Sequence, residues 1–190
     1  PDGGLYVPET YPQIAPAGPD EPYAQVAARI LSAFAGDAIP ETDMLAMCER
    51  AYASFAHHSV APLTQAGAGL WLMELHHGPT LAFKDVAMQI IAQLYDYMLG
   101  KSGKRLSIVC ATSGDTGGAA AAAFAGAKHA DLFILHPHER ISPVQRQQGR
   151  SVGRQFDQLG AHRCAVGLLC HGSGGARRKD SLCRAERQHG

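Results

Sequence analysis

Two short apolar runs, Leu106 to Ala111 and Asp131 to His136, constrain this chain more than any other feature. Both are too short for an ordinary helix and lack polar/apolar alternation, a pattern typical of strands buried on both faces of a parallel sheet. The small polar loop Thr112-Ser113-Gly114-Asp115-Thr116-Gly117-Gly118 separates them, followed by an alanine-rich helix to about Ala127. A longer helix is predicted ahead of the first run, from about Lys84 to Leu99. Val86, Ile90, Ile91, Leu94 and Met98 share its core face, and Gly100 with the polar Lys101 to Arg105 segment ends it. Helix, strand, glycine loop, helix, strand is an α/β alternation. The expected architecture is therefore a mainly parallel sheet with flanking helices.

Around this centre the texture differs. Pro1 to about Pro19 is rich in Gly and Pro and reads as extended loop, in which the Asp2 to Glu9 run suits a turn followed by a short strand. Helical periodicity runs from Tyr23 to Phe34, closed by Gly36, and again from the Pro40-Glu41-Thr42 signal to about Phe55. Leu70 to Leu75 reads as a strand. From about residue 149 the chain carries many Gly and Arg, no sustained periodicity, and Leu168-Leu169 as nearly its only apolar pair. Three parts are expected: 1–69 with its helices, an α/β part over 70–148, and a tail over 149–190.

Charge narrows the function. Seventeen basic and seventeen acidic residues cancel, so no dedicated nucleic-acid surface is expected, since phosphate neutralisation needs excess Lys and Arg. No stretch approaches the roughly 20 apolar residues of a membrane span. Asp2 and Pro8 interrupt the opening, which reads unlike a secretory signal. Five cysteines, an odd number, read as reduced thiols of a cytoplasmic protein.

Chemistry concentrates in two segments. In His76-His77-Gly78-Pro79-Thr80-Leu81-Ala82-Phe83-Lys84-Asp85, a lysine stands at the first turn of a helix behind an apolar Leu-Ala-Phe segment. The positive end of the helix dipole and desolvation would both favour the neutral amine that attacks carbonyls. The alternative is an ordinary solvated lysine near a helix start. In the second segment, Thr112 to Gly118, strand, small polar loop and helix make the usual frame of an anion site. Backbone N–H groups converge there with the helix dipole. The alternative is a tight turn with an Asp or Thr cap. The loop has neither the Gly-Lys-Ser/Thr ending of a Walker A motif nor the G-x-G-x-x-G dinucleotide spacing.

Together these segments resemble one family. HGPTLAFKD is similar to the lysine motif of threonine synthases, and ATSGDTGGAA to the loop that follows about thirty residues on. DGGLYVPE resembles the family's opening and RISPVQRQQ the stretch after the third strand, so the resemblance covers about residues 1–148. It implies a fold-type II pyridoxal-phosphate enzyme of the tryptophan synthase β-like architecture, present here in part. Such an enzyme is a lyase that converts O-phosphohomoserine and water into threonine and phosphate. On this chain the resemblance makes Lys84 the residue that bonds the pyridoxal 5'-phosphate aldehyde and then moves protons. Ser113 and Asp115 would lie against the cofactor. Thr112, Ser113, Gly114, Thr116 and Gly117 would hold the substrate's carboxylate. Asp85 is expected to orient or cap the helix rather than react, and His77 either meets the substrate phosphate or ring or is structural. Another fold-type II enzyme, of the threonine dehydratase or cysteine synthase type, and a catalytically inactive remnant are the alternatives.

Departures from the family pattern are equally specific. No glycine-rich cup for the cofactor phosphate and no partner for the pyridine nitrogen stand out, and nothing from Gly149 onward aligns. The abrupt change there is expected to mark a frameshifted, disordered tail. Cys164, Cys170, His171 and Cys183 could suggest a metal, but no pair has the C-x2-C spacing of structural zinc, so no metal site is expected. Oligomeric state is left open.

Overall fold

A computed structural model describes residue 4 and residues 7–112, 114–137 and 166–171, the last six and 136–137 by their backbone alone. Helices α1 (Tyr23–Ala35) and α2 (Glu41–Tyr52), joined by a 3-10 turn at Gly36–Ala38, come first. A hairpin of β1 (Leu63–Gly67) and β2 (Leu70–Met73) follows. Then come α3 (Asp85–Ser102), β3 (Leu106–Ala111), α4 (Asp115–Ala123), β4 (Ala130–Pro137) and β5 (Val166–His171).

The predicted α/β centre is present. β3 pairs with β4 in parallel, Leu106 opposite Ala130 through Ala111 opposite Leu135, with α4 as the crossover between them. Both other strand pairs among the described residues are antiparallel, the β1–β2 hairpin and β4–β5. The hairpin carried little signal, because Leu63-Thr64-Gln65-Ala66-Gly67 has one large apolar residue. Only Gly69, with φ +71, marks its turn. β5 departs from the expectation of a tail without structure. Its Val-Gly-Leu-Leu-Cys run pairs with β4 from Leu132 opposite His171 to Pro137 opposite Val166. Unpaired backbone groups at a sheet edge accept such an apolar run readily. The rest of the tail, the opening residues 1–3 and 5–6, and RISPVQRQQ lie outside the described residues.

Two further expectations are corrected. Among the described residues β3 is covered on one face rather than both: Ile108 and Cys110 pack into the core while Val109 on the other face is 63% exposed. The reason is that α3 and α4 lie on the same face of the sheet. Ala92, Met88 and Ile91 of α3 and Ala120, Ala121 and Ala123 of α4 meet Leu132 and Ile134 there. The alanine-rich sequence lets α4 sit close to the strands. Second, α3 passes through Gly100 and ends at Gly103, whose φ of +63 gives the left-handed cap, with Lys104 N–H donating to Leu99 O at 3.1 Å. Gly100 is instead a contact glycine, since a Cβ there would come within 3.2 Å of the His129 ring.

Helix α3 is apolar on two faces because it serves two cores. Ile90 and partly buried Leu94 and Tyr97 pack against α1 and α2, where Met44, Met47, Cys48 and Ala51 are buried. Tyr97 Oη donates to Asp43 at 2.7 Å and Arg50 Nε to Gln93 at 2.9 Å, fixing α2 along α3. Its other face joins the sheet. The helix that begins at the candidate lysine is thus held from both sides.

Candidate functional site

Lys84 closes an irregular turn whose geometry is set from beneath. Asp85, the next residue, is fully buried, which a carboxylate tolerates only when its oxygens are satisfied. Thr80 satisfies both: its N–H donates to Oδ2 at 2.8 Å and its hydroxyl to Oδ1 at 2.7 Å. The first turn of α3 adds the favourable end of the helix dipole. Gly78 makes room, because a Cβ there would fall on Asp85 Cβ, 2.5 Å from Oδ2 and 2.8 Å from Cγ. Leu81 N–H donates to Gly78 O at 3.1 Å, and Leu81 itself adopts φ +61, a left-handed conformation that costs a non-glycine residue about 1–2 kcal/mol. Strain of this kind persists where surroundings over-determine it, often at functional turns. Lys84 is half-buried, in helical conformation, with Nζ 4.4 Å from the Phe83 ring centroid. Asp85 orients the helix start by gripping the backbone N–H and the hydroxyl of Thr80.

The glycine loop is held by a hydroxyl. Thr112 N–H continues the sheet by donating to Leu135 O at 2.9 Å, while Thr112 Oγ1 accepts from Gly114 N–H at 3.2 Å and Gly117 N–H at 3.3 Å. Gly117 is buried against the strands. A Cβ there would collide with Thr112 Cγ2 and lie 3.1 Å from Ile134 Cγ2. Gly114, the N-cap of α4, has no side chain to cap the helix, so Thr112 Oγ1 takes that part through the Gly117 N–H, with Asp115 exposed and Thr116 half-buried in the first turn. The start of such a helix presents backbone N–H donors and positive potential to an anion. Of the predicted contact residues, Thr112 and Gly117 are engaged in building the loop, and Ser113 lies outside the described residues.

The two segments lie toward the same edge of the sheet. Near its C-terminal end α3 lies beside the start of β4: Asp96 Oδ1 accepts from Lys128 N–H and His129 N–H, both at 2.9 Å, and Gly100 touches the His129 ring. Twelve residues of helix span about 18 Å and six of strand about 20 Å. Running back from Asp96, α3 therefore brings Lys84 to the carboxyl ends of β3 and β4, where Thr112 follows β3. The carboxyl edge is where open α/β sheets bind ligands. No helix among the described residues is long and apolar enough to cross a membrane.

Known proteins resemble this chain. A family model described as "Threonine synthase N terminus" matches residues 1–52. The threonine synthase of Pseudomonas aeruginosa is 45% identical over 151 residues, covering 77% of this chain and 32% of that protein. That of Saccharomyces cerevisiae is 37% identical over 169 residues, covering 80% of this chain and 33% of that protein. The solved structure of PLP-bound threonine synthase from Brucella melitensis superposes with a TM-score of 0.74 at 50% identity, over 77% of this chain and 32% of that one. The resemblance is to the N-terminal part of threonine synthases. The chain has the fold of that part of these fold-type II enzymes, and it spans about a third of the length of the curated relatives it matches.

Sequence reasoning reached Lys84 and the loop but missed two things. Thr80 and Gly78 were read as parts of a motif without roles, although a buried carboxylate five residues on requires a local donor. Glu74, which accepts from Thr64 Oγ1 at 2.6 Å and lies 2.8 Å from His77 Nε2, drew no notice. Its signal was a Glu-x-His-His spacing at a strand end.

Proposed function

We propose that this chain carries the lysine side of a threonine synthase site, with Lys84 bonding pyridoxal 5'-phosphate and the reaction converting O-phosphohomoserine and water into threonine and phosphate. The observation that supports it most is the placement of the Lys84 turn and the Thr112–Gly117 loop at one carboxyl edge, in a fold similar to a PLP-bound threonine synthase.

The residues fit the cofactor by their chemistry. An amine stands at a rigid helix start, half-buried on an apolar ring, and a helix N-terminus beside a small polar loop offers positive potential to an anion. Bound there, the cofactor would supply the electron sink for carbanions, leaving positioning and proton movement to the protein. Lys84 Nζ holds and moves the proton. Asp85, Thr80 and Gly78 fix the turn that aims it. Ser113 and Asp115 would lie against the cofactor, and the loop of Thr112, Ser113, Gly114, Thr116 and Gly117 would shape the pocket for the substrate's carboxylate. Within it Thr112 holds the Gly114 and Gly117 N–H groups in place.

Absorbance of the chain with added pyridoxal phosphate, then borohydride reduction and peptide mapping, tests the reading. The expected result is a band near the visible edge and a single reduced adduct on Lys84, absent from Lys84→Ala. Label spread equally over Lys101, Lys104 and Lys128 in both proteins would overturn it.

A further inference from the structure

Ligand-type side chains also gather where β2 runs into the lysine turn. Glu74 is half-buried, and Thr64 Oγ1, donating at 2.6 Å, fixes its Oε1. Its Oε2 faces two imidazoles, with His77 Nε2 at 2.8 Å and His76 Nε2 at 4.0 Å. Each of the three residues offers a donor atom, and these atoms all lie within 4.8 Å of one another. The rings of His76 and His77 stack at 4.5 Å, and His57 adds a third ring 5.2 Å from His77. His57 is itself oriented, its Nδ1 accepting the Ser59 N–H at 3.1 Å.

We propose that Glu74, His76 and His77 bind a single divalent transition-metal ion of the zinc class, with one coordination position left for water. Imidazole and carboxylate are the donor types that suit zinc, and two histidines with one glutamate leave an open fourth position. Zinc bonds of about 2.0–2.1 Å in tetrahedral geometry separate ligand atoms by roughly 3.3 Å. The Glu74–His77 pair opens by about half an ångström to reach that spacing and the Glu74–His76 pair closes by under one. His76, with its side chain 63% exposed, has the freedom to make the move. Bound metal would clamp the end of β2 to the residue before Gly78 and so stiffen the approach to the lysine turn. Glu74 and His76 have no part in the proposed reaction, so the site stands or falls by itself.

The test is titration of Zn2+ into the full chain, in competition with a chromophoric chelator, after alkylating the cysteines to silence thiol ligands. One zinc per chain with micromolar affinity is expected. His76→Ala and Glu74→Gln should each weaken it about tenfold or more, and His58→Ala, an exposed ring stacked on His57, should leave it unchanged. Circular dichroism of the same samples establishes that each variant is folded. Failure of the alkylated chain to hold zinc, or a folded His76→Ala that binds as tightly as the parent, would overturn the site.

Discussion

The lysine turn and the glycine loop do the same job by opposite means. Each carries the chain into the start of a helix at the carboxyl edge of the sheet. The lysine turn is held by a charge: Asp85 is buried whole and both its oxygens are given to Thr80. The glycine loop is held by a neutral hydroxyl, Thr112, and by the close approach that Gly117 allows between α4 and Ile134. A buried carboxylate gives a stiff turn at high desolvation cost, suited to aiming a single amine. A hydroxyl accepting two longer bonds leaves a loop that can adjust to an incoming anion. The difference predicts that the first turn fails abruptly when altered and the second by degrees.

The sharpest way to break this contrast is Asp85→Ala. It removes two charge-assisted hydrogen bonds and strands the Thr80 N–H, so a loss of about 3 kcal/mol in unfolding free energy is expected. Asp85→Asn keeps the volume, and the Thr80 hydroxyl can turn from donor to acceptor. Its cost should be near half as large. Urea unfolding followed by circular dichroism measures both, and a loss below about 1 kcal/mol for the alanine variant would mean that the carboxylate does not hold the turn.

Next in size comes Gly117→Ala. The added methyl meets Thr112 Cγ2 and Ile134 Cγ2, both on strand-anchored residues, so α4 must move outward at a cost of about 1–3 kcal/mol. Thr112→Val should cost less, about 1 kcal/mol, by leaving the Gly114 and Gly117 N–H groups without their acceptor. Thr112→Ser keeps the oxygen and relieves the methyl contact, so combining it with Gly117→Ala should recover part of the loss. A double-mutant cycle that shows no coupling between positions 112 and 117 would separate the hydroxyl from the packing.

How far the sequence foretold these two regions depends on whether their constraint is local. The strands at Leu106 and Asp131, the helices around them and the lysine at a helix start were legible, because apolar runs, periodicity and glycine punctuation act over a few residues. The role of Asp85 as an orienting group was legible too. What escaped is set by contacts distant in sequence or by which face is covered. Gly100 reads as a helix stop, yet it is free of a side chain to receive His129, and Gly103 makes the cap. Val109 reads as buried, but α3 and α4 occupy the same face of the sheet and leave it exposed. Thr112 reads as a ligand donor, and only the loop's three-dimensional course shows its oxygen turned to Gly114 and Gly117.

A weaker carboxylate completes the series and tests whether the edge opposite Lys84 matters to its placement. Burial pushes the Asp96 carboxyl up, but the His129 and Lys128 N–H groups and the His129 ring outweigh that and hold it below its ordinary value. A carboxylate whose folded pKa is depressed contributes stability above its unfolded value, near 3.9, and loses it as pH falls through the folded value. Asp96 is partly exposed, so its share should be under about 1 kcal/mol at neutral pH. Asp96→Asn should therefore destabilise the chain slightly at pH 7, and the gap to the parent should close on acidification below about pH 4. Because Asp96 fixes the far end of α3, the same variant should also loosen Lys84, seen as slower formation of its pyridoxal adduct with little change in unfolding free energy. An unchanged rate would mean that the buried Asp85 alone positions the lysine, and that the two ends of α3 are mechanically independent.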